Sequence, residues 1–225
     1  MIRFERVTKA YARSGPALND VSFEVRKGEF CFLTGHSGAG KSTILRLIHM
    51  VERPSEGEVR VSGYSSTKIR QREIAILRRK VGFVLQDFRL LPNRTAAENV
   101  AFALEVTGAR RSVIRARVAR LLAQVGLSSR AGAYPHELSG GEQQRTAIAR
   151  ALAHDPIVLL ADEPTGNLDE RASRGVMELF RAINAAGTAV VMATHDLDLV
   201  RSTPNARVIE LDHGAVVYDS ARGSD

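Results

Sequence analysis

The chain has 225 residues, enough for one large α/β domain with a sizeable buried core. Hydrophobic residues make up 44% of it and charged residues 25%, which excludes an intrinsically disordered polypeptide. Its 32 Lys and Arg against 25 Asp and Glu give a net charge of +7, but aromatic residues reach only 5%. Single-strand binders interleave aromatic and basic residues, so we expect no nucleic-acid partner.

Cysteine content and hydropathy exclude further classes of protein, namely disulfide-rich, secreted and membrane-spanning chains. The single cysteine, Cys31, cannot form an internal disulfide bond, so a reducing compartment is expected. No group of Cys and His residues has metal-site spacing. The charged N-terminus predicts no signal peptide. No apolar run approaches the roughly 20 residues that a membrane span requires, so we expect a soluble chain.

The first third of the chain predicts strands around a glycine-rich loop. Alternating apolar residues indicate two strands that flank a turn at Ser14–Pro16. A short apolar strand, Phe30–Thr34, runs into the glycine-rich loop, and helical periodicity follows over Ser42–Val51. Two more strands are predicted at Glu58–Val61 and Val81–Leu85.

The rest of the chain predicts a helical stretch and then a return to alternation. Ala- and Arg-rich segments between residues 87 and 155 indicate helices. Strands and helices then alternate up to a final hairpin that turns at residues 212–214, and residues 221–225 read as a frayed tail. We therefore predict an α/β fold with a mostly parallel core sheet, an N-terminal antiparallel β part and an inserted helical subdomain. The predicted single domain, 1–225, has its core at 1–86 and 156–225 and its helical subdomain at 87–155.

The glycine-rich loop predicts a nucleotide phosphate site, because it matches G-x-x-x-x-G-K-[ST] between a strand and a helix. Its backbone N–H groups and the helix N-terminus would face phosphate oxygens. Lys41 would reach the β- and γ-phosphates, and the Ser42 hydroxyl would bind Mg²⁺. The predicted ATP-binding residues of this loop are Gly35, His36, Ser37, Gly38, Ala39, Gly40, Lys41, Ser42 and Thr43.

Two adjacent carboxylates, Asp162 and Glu163, follow a predicted apolar strand. Ligands of α/β sheets bind at the carboxyl ends of the strands, so this pair belongs near the phosphate loop. Successive side chains on an extended segment diverge, which predicts two roles. We assign Asp162 to Mg²⁺ and Glu163 to the attacking water, which makes the chain an ATPase.

Two more polar residues end predicted core strands. Gln86 follows Val81–Leu85, and His195 follows the strand at residues 189–194. A lone histidine is more often a satisfied structural residue, but its place at a strand end favours contact with the γ-phosphate.

A second glycine motif, Ser139-Gly140-Gly141, opens a predicted helix. Ser139 is a plausible N-terminal cap, and that structural interpretation is sufficient by itself. A helix N-terminus is also an anion site, which would let two copies of the chain share each nucleotide.

In order along the chain, these motifs and Leu168-Asp169 resemble the complete motif set of ATP-binding cassette (ABC) ATPases over essentially the whole sequence. The resemblance implies the P-loop NTPase fold of that family, with ATP and Mg²⁺, and an ATP-dependent homodimer. It implies that Ser139, Gly140 and Gly141 contact the partner's γ-phosphate and that Asp169 lies at the dimer seam. It also implies that Tyr11 stacks on adenine, and that Gln86 senses Mg²⁺ and faces a transmembrane partner.

Within this family, the segments around His36, Glu52–Ser55 and Gln86–Pro92 are similar to the cell-division branch of FtsE type. That resemblance implies a peripheral protein on the cytoplasmic face of the cell membrane, bound to an integral membrane partner of FtsX type, that regulates cell-wall hydrolysis. The alternative is the ATPase subunit of a lipoprotein-release or macrolide-export transporter.

Overall fold

The structure is a computed structural model that describes residues 1–12 and 15–221. Its strands and helices alternate over most of the chain. The strands are β1 (Ile2–Tyr11), β2 (Gly15–Val25), β3 (Phe30–Thr34), β4 (Glu56–Val61), β5 (Tyr64–Ser65), β6 (Val81–Val84), β7 (Val158–Asp162), β8 (Ala189–Ala193), β9 (Arg207–Asp212) and β10 (Ala215–Asp219). The helices are α1 (Lys41–Ile48), α2 (Gln71–Arg79), α3 (Ala96–Glu105), α4 (Arg111–Gln124), α5 (Gly140–Ala151), α6 (Glu170–Ala185) and α7 (Leu197–Arg201).

Six strands form the main sheet, in the order β10-β9-β3-β8-β7-β6. All neighbours pair in parallel except β10 with β9. Every residue of β3 and β8 is buried, as expected for central strands that are covered on both faces. The mostly parallel core sheet predicted from the sequence is confirmed.

The predicted N-terminal antiparallel part is also present. Its sheet has the order β2-β1-β4-β5, and the rings of Phe4 and Phe23 stack across it with centroids 4.5 Å apart. Helix α1 contacts β4 of this sheet and both β7 and β8 of the main sheet, so it lies between the two sheets. One apolar core joins these three layers and holds the start of α1 in a fixed position.

Between β6 and β7 the chain forms α3, α4, α5 and two short 3₁₀ turns, Ser128–Arg130 and Pro135–Glu137. These helices share a second core with α6 and with the other face of the main sheet, where Phe32 and Met192 are fully buried. The helical character predicted for residues 87–155 is present, whereas their treatment as a separate subdomain stays a prediction.

Several element bounds differ from the prediction. Helix α2 was not predicted, because it is only nine residues long and its buried face consists of two residues, Ile74 and Leu77. Helix α1 ends three residues early, β4 begins two residues early and β6 ends at Val84. Residue 14 of the predicted turn and residues 222–225 of the predicted tail lie outside the described part of the chain. Among the described residues, no helix is long and apolar enough to cross a membrane.

Candidate functional site

The phosphate loop joins the buried strand β3 to helix α1. At two of its glycines the neighbouring backbone leaves no room for a Cβ atom. Gly35 and Gly40 have φ angles of 130° and 109°. A Cβ at Gly35 would lie 2.2 Å from the carbonyl oxygen of Leu211, and one at Gly40 would lie 2.7 Å from that of Ala17. Only glycine fits there, so the loop is pressed against β9 on one side and β2 on the other.

Lys41 is the cation of this loop. Its side chain is buried, and Nζ donates to the carbonyl oxygens of Gly35 at 2.7 Å and His36 at 2.9 Å. Because Lys41 opens α1 and the first turn carries no acidic residue, the helix N-terminus adds to its positive field. The loop therefore presents a concentrated positive site beneath its backbone.

The remaining loop residues differ in exposure. Ser37 and Gly38 are exposed, whereas Ala39 and Thr43 are buried. His36 is exposed, and its Nε2 lies 3.1 Å from an Oδ1 oxygen of Asp212 in the β9–β10 turn.

Ser42 and Asp162 are 120 positions apart in the sequence, and the fold brings them into contact. The Ser42 hydroxyl donates to Asp162 Oδ1 at 3.0 Å. Burial raises the pKa of the Asp162 carboxyl above its ordinary value, against the opposing effect of the hydrogen bond from Ser42. A half-buried carboxylate beside a hydroxyl is an oxygen donor set that suits Mg²⁺.

Glu163 diverges from Asp162, as predicted for neighbours on an extended segment. Its Oε2 accepts from His195 Nδ1 at 2.7 Å, and its backbone N–H donates to the carbonyl of Ala193 at 2.9 Å. Its φ of 46° is uncommon for a residue other than glycine and sets the direction of its side chain. Glu163 and His195 line a hollow of about 420 Å³. An acceptor-only carboxylate requires the hydrogen on Nδ1, which leaves His195 Nε2 available to another partner.

Gln86 is exposed beside the loop that follows Glu163. Its side-chain Nε2 lies 3.0 Å from the position that a Cβ of Gly166 would occupy. Its backbone carbonyl oxygen accepts from Asn167 Nδ2 at 3.2 Å. The structure thus places Gln86 next to the segment that follows the acidic pair.

The second glycine motif caps a helix, as the structural interpretation predicted. Ser139 Oγ accepts from the N–H of Glu142 at 3.3 Å, and the Glu142 carboxylate accepts from the N–H of Ser139 at 2.8 Å. The glycines also have a packing reason that the sequence did not reveal. A Cβ at Gly141 would lie 3.0 Å from that of Ala172 in α6, and one at Gly140 would lie 3.3 Å from the side chain of Leu168.

Asp169 caps the next helix, since its Oδ1 accepts from the N–H of Ala172 at 2.8 Å. Ser139, Gly141 and Asp169 line one hollow of about 750 Å³. Glu163 and His195 line a different one. Within one chain, the Ser139 motif and the Glu163–His195 pair therefore border separate spaces.

Tyr11, predicted to stack on adenine, ends β1. The ammonium of Lys9 lies 5.0 Å from its ring centroid, and its hydroxyl is buried with no hydrogen-bond partner in the described ranges 1–12 and 15–221. The structure thus shows the ring beside a cation, and the adenine contact stays a prediction.

Sequence reasoning missed Gln144. This buried side chain donates from Nε2 to the carbonyl of Pro164 at 2.6 Å and so ties α5 to the segment after Glu163. The available signal was a polar residue on the apolar face of α5, three and four positions before Ala147 and Ile148.

Comparisons with known proteins agree with this geometry. The ABC transporter family matches residues 18–166. The chain is 53% identical to the cell division ATP-binding protein FtsE of Mycobacterium tuberculosis, over 99% of this chain and 97% of the relative. It is 50% identical to the protein of the same name from Escherichia coli strain K12, over 95% and 96%. A dimeric ATP-binding cassette solved in a post-hydrolysis state with ADP and phosphate superposes with a TM-score of 0.87, at 37% identity over 98% of both chains.

Proposed function

The chain belongs to the ABC transporter family of ATPases, and we propose that it is the ATP-hydrolysing subunit of an FtsEX-like complex that regulates cell-wall hydrolysis in cell division. The observation that carries the enzymatic part is the convergence of Ser42, Asp162, Glu163 and His195 at the end of the phosphate loop. The cell-division part rests on the relatives, two of which are named cell division ATP-binding protein.

ATP binds with its phosphates on the loop from Gly35 to Thr43. Lys41 Nζ exchanges two carbonyl partners for oxygens of the β- and γ-phosphates, which carry more negative charge. The N–H groups at the start of α1 donate to the same phosphates. Tyr11 stacks on the adenine.

Mg²⁺ is held by Ser42, Asp162 and Gln86. A bound Mg²⁺ neutralises charge on the phosphates and fixes their geometry. The half-buried Asp162 carboxylate fits this role, because a cation offsets the cost of burying its charge.

Glu163 accepts a proton from the attacking water, and His195 positions the Glu163 carboxylate. The hydrogen bond from His195 Nδ1 holds one carboxylate oxygen and leaves the other to face the water. With a hydrogen on each ring nitrogen, His195 donates from Nδ1 to Glu163 and from Nε2 to an oxygen of the γ-phosphate.

Two copies of the chain close on two ATP molecules. In this arrangement Ser139, Gly140 and Gly141 of one copy contact the γ-phosphate held by Lys41 of the other, and Asp169 lies at the seam. Within one chain the Ser139 motif borders a different hollow from Glu163 and His195, which favours this arrangement. So does the dimeric state of the ADP- and phosphate-bound cassette.

A membrane protein of FtsX type transmits this cycle, and the chain is peripheral on the cytoplasmic face of the membrane through that contact. The test is to purify the chain with its complex from membranes and to identify the integral partner. An FtsX-like partner supports the proposal. A permease of lipoprotein release or macrolide export assigns the chain to transport instead.

Glu163→Gln tests the enzymatic part. The amide keeps the size of the side chain but accepts no proton, so we expect ATP binding to persist and kcat to fall by about 10²–10⁴-fold. The variant should accumulate as an ATP-bound dimer on a sizing column. Unchanged hydrolysis would remove Glu163 from the mechanism, and a monomer that still binds ATP would contradict the shared site.

A further inference from the structure

Three exposed side chains meet where the phosphate loop touches the last hairpin. His36 comes from the loop, and Asp212 and His213 come from the turn between β9 and β10. Asp212 Oδ1 lies 3.1 Å from His36 Nε2 and 3.8 Å from His213 Nε2. One ligand atom of each residue lies within 4.8 Å of the other two.

Both ring nitrogens of His36 face oxygens that can only accept. Nδ1 lies 2.6 Å from the carbonyl oxygen of Ser37, and Nε2 lies 3.1 Å from an oxygen of the Asp212 carboxylate. A neutral ring has one hydrogen for these two acceptors, so with that hydrogen on Nδ1 a cation is needed between the Nε2 lone pair and the carboxylate. A histidine that donates one N–H to a carbonyl and offers its other nitrogen is the usual arrangement of a metal ligand.

We propose that His36, Asp212 and His213 bind a divalent transition metal of the zinc class. Two imidazoles and one carboxylate suit Zn²⁺ better than Mg²⁺, which prefers oxygen ligands. Two atoms bound to one zinc ion at about 2.0–2.2 Å are at most about 4.4 Å apart. Both contacts of Asp212 already meet this limit, and the ligand nitrogens of the two imidazoles lie within 4.8 Å of each other, close to it.

The backbone holds the ligands together independently of any ion. The N–H of Gly214 donates to the carbonyl of Ala39 at 3.2 Å, and the N–H of Asn19 donates to that of Gly214 at 2.9 Å. The turn is thereby fixed against the loop. Since the carbonyl of His36 accepts from Lys41, a bound metal would brace the loop beside its cation.

The test is calorimetric titration of ZnCl₂ into the nucleotide-free protein, which does not depend on the proposed function. The variant is His213→Asn, because residue 213 has a φ of 44° that asparagine tolerates in a turn. We expect one tight site in the wild type and at least a tenfold weaker one in His213→Asn. The control, His136→Asn, removes an exposed imidazole from another segment and should bind zinc as the wild type does.

Two further measurements support or overturn the proposal. Zinc should raise the Tm of the wild type and not that of His213→Asn, while the two proteins melt alike without metal. Millimolar MgCl₂ should not displace the zinc. The proposal fails if the wild type binds no zinc, if His213→Asn binds it equally well, or if Mg²⁺ competes. Cys31 is fully buried and does not offer a competing thiolate.

Discussion

At the scale of single residues, Lys41 is buried, and within the described residues its Nζ donates to two loop carbonyls, those of Gly35 and His36. We expect Lys41→Ala to weaken ATP binding by about a hundredfold or more, because a hydrogen bond to a charged group contributes about 1.5–3 kcal/mol and Lys41 offers several. A fluorescent ATP analogue titrated into both proteins measures this. The exposed Lys27→Ala is the control. Wild-type affinity in Lys41→Ala would contradict the phosphate site.

The ionised Asp162 side chain should lower the stability of the nucleotide-free protein at neutral pH, although the proposed reaction requires it. Burial raises the pKa of Asp162, so its protonated form is favoured by folding. Its contribution to stability is present at low pH and is lost as the pH rises through the raised pKa. We expect Asp162→Asn to abolish hydrolysis and yet to raise the Tm of the nucleotide-free protein at neutral pH.

The Tm difference between Asp162→Asn and the wild type should shrink as the pH falls to about 4. A shift of about 2–4 °C corresponds to about 1 kcal/mol in a chain of this length. Asp20→Asn is the matched control, since Asp20 is exposed and has a φ of 48° that asparagine tolerates. An equal or lower Tm in Asp162→Asn at neutral pH would refute this reading of the buried carboxylate.

The sequence predicted the loop and the acidic pair because both are local, and their spacing alone indicates the chemistry. The contact of Ser42 with Asp162 followed from one topological rule about strand ends. By contrast, His36 and Asp212 are 176 positions apart and meet through a turn. No spacing rule encodes that contact, so the search for metal-site spacing could not find it.

At the scale of elements, the contact between α5 and α6 depends on a missing side chain. Gly141→Ala would place a Cβ 3.0 Å from that of Ala172 and force the helices apart. We expect a loss of about 1–3 kcal/mol, measured as a Tm lower by several degrees. Gly132→Ala is the control, since nothing lies within 4 Å of its Cβ position. Equal melting of the two variants would show that the interface can adjust.

A recognisable capping residue was a useful local signal for where a helix begins. Ser139 was recognised as a plausible cap from its residue type, and the structure confirms its bond to Glu142. Helix α2 was missed although its two buried residues, Ile74 and Leu77, are three positions apart, because its nine residues are fewer than the roughly 11–18 over which a helical period is read.

At the scale of the whole molecule, the fold separates two halves of one proposed reaction. Lys41 and the acidic pair lie at the strand ends of the main sheet, whereas Ser139 starts a helix between β6 and β7 and borders another hollow. Gln144 joins the two regions through its hydrogen bond to Pro164. The proposed function requires a second copy to bring its Ser139 motif to the nucleotide held by Lys41.

The shared site predicts that two inactive variants rescue each other. Lys41→Ala removes the lysine that binds the phosphates in its own chain but leaves Ser139 intact. Ser139→Asp keeps the cap, because aspartate caps as well as serine, but places a negative charge where the partner's γ-phosphate would lie. In a mixed dimer one site combines the intact Lys41 of one chain with the intact Ser139 of the other.

We therefore expect a tagged Lys41→Ala chain to capture untagged Ser139→Asp chain when ATP is present, and neither variant to capture its own kind. Circular dichroism and melting establish that both variants are folded, and omission of ATP is the matched control. If each chain instead completed its own site with its own Ser139, pairing would not depend on which variant the partner carries. Ser139→Asp would then pair with itself as readily as with Lys41→Ala. Equal capture in all combinations would thus contradict the shared site and show that each chain forms a complete site by itself.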